Sequence, residues 1–315
     1  EEDLRLYSVA GLSPLDMYVL ETRLPDELLV HDLHNITGRC PDSRTPVRYV
    51  RAKPVTEGPE QYVISAWGTD KAPQNPNVAH LYLAEGNRLG EGHHSTVFRA
   101  PFSVRLEGAS DTARRVTVAV KTTSAECGAH YMLHQEAAMY TSFPRDFMEE
   151  THRPSPTLAN FVPNAPEQGL ADETYLPSPT SALNVAADND AEHSEPAILP
   201  PVVPKFYGYY LPVDDDGNFF GRTHINCKED GTCDVDWPAR LLLVEECGAP
   251  IEPEDFTHDQ RLACFSLFQR LHEAGFVQYS PYRRNMLVQP GPLSAPRSER
   301  SFAAPSFRII DFGRG

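Results

Sequence analysis

Three strand-like segments follow one another with little chain between them, and this succession constrains the fold more than any other feature of the sequence. They are Ala79 to Leu89, Thr96 to Leu106 and Val116 to Thr122, each rich in the branched and aromatic residues that suit a pleated surface. The first connection contains glycine and the second is charged and polar, as turns between paired strands require. A helix is expected over Ala129 to Thr141, stopped by Pro144. Lys205 to Leu211 and Ala239 to Glu245 extend the pattern as paired strands around an excursion from Asp214 to Asp236. From His258 to His272 apolar residues recur at Leu262, Phe265, Phe268 and Leu271, which predicts a helix burying that face. Short elements at Met286 to Val288 and Phe307 to Ile310 bracket a Pro/Ser-rich loop, and no internal repeat is evident.

Residues 1–79 read as a mixed N-terminal extension. Ser13-Pro14-Leu15-Asp16 and Pro25-Asp26-Glu27 carry helix-start signals, while Val47 to Val50 and Tyr62 to Trp67 favour strands. The chain opens at Glu1 without a basic-then-apolar signal segment, which reads as a processed, trimmed or recombinant fragment.

Charge is unevenly distributed. The chain of 315 residues has 28 Lys+Arg against 44 Asp+Glu, a formal net charge of −16, which excludes binding nucleic acid through a basic face. Residues 145–200 contain ten acids and two arginines, so half of the negative charge falls in a proline-rich stretch without periodicity. Such a stretch reads as a disordered acidic insertion. No apolar run approaches the roughly 20 residues that cross a bilayer, so a soluble protein with no membrane partner is expected. Six scattered cysteines suit intracellular thiols, in cytoplasm or nucleus, better than a secreted disulfide framework. His224, Cys227 and Cys233 offer three ligands to zinc where structural sites want four. The Asn35-Ile36-Thr37 sequon matters only in a secreted protein, and Asp214-Asp215-Asp216-Gly217-Asn218 reads as a turn rather than a calcium loop.

Chemistry concentrates in four places. Leu89-Gly90-Glu91-Gly92-His93-His94-Ser95-Thr96-Val97 lies between two predicted strands, where glycines let backbone N–H groups approach phosphate oxygens. Lys121 ends an otherwise apolar strand, where its ammonium calls for an anion. Glu136, fifteen residues later on the predicted helix, can supply that anion. Ile309-Ile310-Asp311-Phe312-Gly313 sets a carboxylate immediately after an apolar strand.

In this order the sequence resembles the protein-kinase superfamily. Gly90/Gly92/Val97, Lys121, Glu136, the Leu241 to Gly248 segment, Leu271-His272, Asn285 and Asp311-Phe312-Gly313 are similar to its glycine-rich loop, strand lysine, helix glutamate, hinge, catalytic loop and magnesium motif. The resemblance covers about residues 80–315, and the wording Arg284-Asn285-Met286-Leu287-Val288-Gln289-Pro290-Gly291-Pro292 resembles kinase-like proteins expanded in fungi. It implies an α+β bilobal fold. An antiparallel N-lobe sheet with its helix would occupy 80–247, interrupted by the acidic insertion at about 145–200. The start of a helical C-lobe would occupy 248–315, truncated after the Asp-Phe-Gly motif.

The resemblance also implies ATP and Mg²⁺ as cofactors. Gly90, Gly92, Val97, Lys121, Val244, Glu245 and Cys247 would bind ATP, with Val244 as gatekeeper and the backbones of Glu245 and Cys247 meeting adenine. Glu136 would orient Lys121, and Asn285 and Asp311 would hold the metal. Counting back from Asn285, the His-x-Asp of the family becomes Gln278-Tyr279-Ser280, so Ser280 stands where the catalytic aspartate belongs. The third loop glycine is Ser95, preceded by His93 and His94. The expected function is therefore an ATP/Mg-binding pseudokinase with weak or no phosphotransfer. The alternatives are an active unconventional kinase acting on Ser/Thr, or a non-enzymatic scaffold for protein partners.

Overall fold

The computed structural model describes residues 3–38, 45–54, 62–63, 75–105, 113–152, 198–220 and 233–314. Strands run at Glu27–Asp32 (β1), Val47–Pro54 (β2), Tyr62–Val63 (β3), Val78–Leu83 (β4), Arg88–Glu91 (β5), Ser95–Val104 (β6) and Arg114–Thr123 (β7). Helix α1 follows at Cys127–Ser142, then Thr151–His152 (β8), Ile198–Leu199 (β9), Phe206–Pro212 (β10), Leu241–Val244 (β11) and Ala249–Pro250 (β12). Helix α2 spans His258–Glu273, followed by Met286–Gly291 (β13) and Ser301–Ile309 (β14). Strands β8 and β9 pair with each other in a separate small unit, Thr151–Leu199.

Seven strands close on themselves in the order β1-β4-β6-β7-β11-β10-β2, with β2 returning to β1; β5 and β3 hang from β6 and β2. The barrel is mixed, because β1 runs parallel to β4 and antiparallel to β2. Alternation along the strands sorts side chains between its two faces. Val116, Val118 and Val120 of β7, Leu241 and Leu243 of β11, and Leu28 and Val30 of β1 join one buried cluster inside. Leu242 of β11 and Tyr209 and Leu211 of β10 join a second cluster outside, with Leu133, Ala137 and Tyr140 of α1. Strand β10 changes parity on the way, with Tyr207 and Tyr210 both inside. The register slip at Gly208 supplies the extra residue, and its φ of +122° admits glycine most easily.

The bilobal α+β kinase-like architecture is corrected by this arrangement. The described residues contain two α-helices, and the sheet is a closed seven-stranded mixed barrel rather than an open antiparallel one. Instead of a helical lobe, the segment after β11 forms α2 beside the three-stranded sheet β12-β13-β14. The physical reason lies in residues 27–54. Leu28 and Val30 of β1, and Val47 and Tyr49 of β2, are buried, and pairing these strands with β4 and β10 removes both edges of the sheet.

Local expectations divide similarly. Ser13-Pro14 starts no helix: Pro14 bridges Thr117, and Leu15 donates to the Thr117 carbonyl at 2.8 Å. Pro25-Asp26-Glu27 leads into β1 instead. The segment Ala79 to Leu89 is broken by a 3₁₀ turn at Glu85–Asn87 into β4 and β5. Helix α2 forms where expected, and its N-terminus is fixed by a capping box between Thr257 and Gln260. It buries Cys264, Leu267 and Leu271, however, and exposes Leu262 and Phe265. A strict spacing of three slips by about 60° at each step of an α-helix, so those four residues fan over half its circumference. The packed face instead follows i, i+3, i+7.

The Asp214 to Asn218 segment is a turn, in which Asn218 donates from its backbone to Asp214 Oδ1 at 2.8 Å. The sequon's Thr37 is buried and donates its hydroxyl to Asp32. His224, Cys227, most of the acidic insertion and residues 64–67 of the strand expected after Tyr62 lie outside the described residues. Among the described residues, no cluster of three or more His, Cys, Asp or Glu is placed to hold a metal ion, and no helix is long and apolar enough to cross a membrane.

Candidate nucleotide site

Pairing register delivers the central lysine. Lys121 of β7 lies opposite Val97 of β6 and Leu242 of β11, on the outer face of the barrel, where α1 packs. Its ammonium donates to Glu136 Oε2 at 2.5 Å and to Asp311 Oδ1 at 2.7 Å. Glu136 comes from α1, where it is only 3% exposed, and Asp311 from the chain just after β14. A cation from one strand and two carboxylates from distant elements thus meet at one point.

The protonation states follow from this arrangement. Burial alone would lower the Lys121 pKa, but Glu136 and Asp311 outweigh it and hold the ammonium above its ordinary value. Burial pushes Glu136 upward against the pull of Lys121. Burial acts the same way on Asp311, yet Lys121 and the Asn285 amide bring its carboxyl below the ordinary range. Asp311 is therefore an anion at neutral pH, and its φ of +66° places it in the left-handed region.

Two side chains hold that conformation. Asn285 donates through Nδ2 to Asp311 Oδ2 at 3.2 Å and to the Ser280 carbonyl at 2.9 Å. Gln278 donates through Nε2 to the carbonyls of Ile310 and Asp311 at 2.6 and 2.9 Å. The second contact was not foreseen from sequence. Its only signal is a polar residue in the stretch expected to form a catalytic loop.

Around this cluster opens a cavity of about 330 Å³. Gly90, Gly92 and Val97 line one side, Val244, Glu245 and Cys247 another, and Lys121, Glu136, Asn285 and Asp311 its polar end. The volume is at the lower end of the range for small-molecule sites. Ser280 does not line the cavity: it is buried beneath Asn285, and its backbone N–H donates to Gln278 Oε1 at 2.7 Å. The expected site residues therefore converge, apart from Ser280, which supports the loop from behind.

Neither Gly90 nor Gly92 needs glycine for internal reasons. A Cβ at Gly90 would meet nothing within 4 Å, and one at Gly92 would make ordinary contact with Ser95. Gly248 does need it, because at φ +88° a Cβ would lie 2.1 Å from the Val288 carbonyl oxygen. His94 of the same loop contacts Glu126 Oε2 at 3.1 Å.

Behind the wall formed by Val244, Glu245 and Cys247 sits a buried ionic cluster that sequence reading missed. The Glu245 carboxylate meets Lys205 Nζ at 3.3 Å and Arg308 at 3.5 Å, and Arg308 is fully buried. The Glu245 backbone N–H donates to the Lys205 carbonyl at 2.8 Å, while its own carbonyl accepts from the Cys247 thiol at 3.3 Å. Burial and the Glu245 charge push the Cys247 thiol well above its ordinary pKa, so it is a packed, protonated group. No protein-family model matches the chain, and no curated protein matches it.

The donor set suits magnesium in one respect. Asp311 offers a carboxylate, and with its Nδ2 engaged Asn285 keeps Oδ1 as a second hard oxygen. One or two protein oxygens supplemented by phosphate oxygens is how Mg²⁺ is ordinarily held in nucleotide sites.

Proposed function

We propose that this chain binds a nucleoside triphosphate, ATP by the kinase resemblance, together with Mg²⁺, and transfers phosphate weakly or not at all. The observation that carries the reading is the Lys121 ammonium held between Glu136 and Asp311 in a cavity that Gly90, Gly92 and Val97 line on one side and Val244, Glu245 and Cys247 on another. Function belongs to the site rather than the architecture, so a kinase-like site on a barrel is a physically consistent combination.

In this reading Val97, Val244 and Leu287 enclose the base. Lys121, aimed by Glu136, meets the phosphates closer to the nucleoside. Asp311 and Asn285 hold Mg²⁺, which when bound offsets phosphate charge. By the motif count, Ser280 stands where the general base of the family belongs. That base is worth about 10²- to 10⁴-fold in rate, so positioning alone leaves slow transfer. The buried thiols of Cys247 and Cys264, far apart in sequence, support a reducing compartment, cytoplasm or nucleus.

Thermal unfolding with and without MgATP tests the proposal. Saturating nucleotide raises the melting temperature, since a ligand at 100 times its Kd adds about 2.7 kcal/mol to the native state. No shift at millimolar ATP with the protein folded overturns the reading.

A further inference from the structure

We infer that Arg284 binds the terminal phosphate of the nucleotide and makes this site selective for a triphosphate over a diphosphate. This rests on the nucleotide reading above. Five carboxylates line the cavity, and each has a cationic partner: Glu91 with Arg88, Glu136 and Asp311 with Lys121, Glu245 with Lys205, and Glu246 with Arg99. Lys121 is thus divided between two anions. Arg284 also lines the cavity, yet among the described residues it makes no ion pair. Its guanidinium lies over the ring of Tyr282, 4.6 Å from the centroid, which holds it in place without neutralising it.

The position of Arg284 specifies the anion. It directly precedes Asn285, whose amide contacts Asp311, and Asp311 in turn contacts Lys121. A phosphate chain that begins at Lys121 and passes the Asp311 carboxylate reaches Arg284 at its far end. A guanidinium presents parallel N–H donors that match the oxygens of a terminal phosphate, which carries more charge than a bridging one.

The test is a set of affinities for MgATP and MgADP, measured by calorimetry on the wild-type protein, Arg284→Ala and Arg284→Lys. Arg284→Ala is expected to weaken ATP about 10- to 100-fold, the range of hydrogen bonds to a charged group. ADP should change by less than about twofold, and Arg284→Lys should recover part of the ATP loss, since charge remains but the planar fork does not. Because Arg284 is exposed, the melting temperature without nucleotide should not move. Unchanged ATP affinity in Arg284→Ala overturns the inference and leaves nucleotide binding standing, and so does an equal loss for ATP and ADP. If the wild-type protein binds neither nucleotide, the underlying reading fails and this inference falls with it.

Discussion

Lys121 and Gly90 face the same cavity but have different structural jobs, and substituting them should separate stability from binding. Lys121→Met leaves Glu136 and Asp311 facing each other with no cation between them. Removing one partner of a buried ion pair typically costs about 3 to 5 kcal/mol. Partial exposure of Asp311 reduces this toward the lower end, to about 3 kcal/mol by denaturant unfolding, and the MgATP-induced shift should disappear as well. Gly90→Ala meets no atom of the protein within 4 Å, so stability should hold within about 0.5 kcal/mol. If the proposed nucleotide binds, its affinity should nonetheless fall several-fold, because the added methyl projects into the space where its phosphates would approach the loop. Stability lost without affinity lost would assign Gly90 to folding instead. Lys121, Glu136 and Asp311 were legible in the sequence because each sits in a short local pattern: an apolar strand ending in lysine, a helix glutamate, a carboxylate after a strand. Lys205 and Arg308 were not. Each reaches Glu245 only through tertiary packing, and neither lies in a local pattern that would announce a buried ion pair.

Helix α1 carries a pH-sensitive contact to the barrel through His130. Its ring is buried, with Nε2 at 3.1 Å from the Thr123 hydroxyl, the Trp237 ring edge-on at 6.1 Å and the Arg240 charge nearby. Burial first, and Arg240 second, depress its pKa to about 3 from an ordinary value of 6.5. Folding therefore favours the neutral ring. Between about pH 6.5 and 3 the unfolded chain binds the proton that the native state refuses, so stability falls as pH drops through that window. At the half-buried Asp16, burial raises the carboxyl pKa but Arg297 and Arg300 outweigh it and hold the group low, so its own loss is added only below about pH 4. Denaturant unfolding at pH 7, 6 and 5 should show declining stability in the wild type and a flatter profile in His130→Gln. An equal slope in both would place the pH dependence elsewhere. At this scale the extents of β6, β7, α1 and α2 were readable because they follow from residue type and local stops. Which side of α2 packs was not, since spacing by three leaves the face ambiguous until a partner surface selects Cys264, Leu267 and Leu271.

The barrel as a whole was hidden because its closing strands lie far from the rest in sequence and read as an extension. Nothing local in the segment Glu27–Asp32 says that it will run parallel to β4. The gain comes from covering two sheet edges at once, a property of the assembled sheet rather than of either strand. This has a quantitative consequence. Leu28 of β1 and Leu243 of β11 are both fully buried in the same cluster, one in the N-terminal segment and one in the middle of the barrel. Were residues 1–79 an appendage, Leu28→Ala would cost little, as surface changes usually stay within about 0.5 kcal/mol. In a closed barrel it should cost about 2 to 5 kcal/mol, the same range as Leu243→Ala, because each truncation leaves a cavity in one shared core. Both variants should also unfold in a single transition with an unchanged denaturant slope, since both act on the same cooperative unit. A Leu28→Ala protein that keeps the wild-type midpoint while Leu243→Ala loses stability would mean that β1 is not integral to the core, and the barrel would then have to be treated as open.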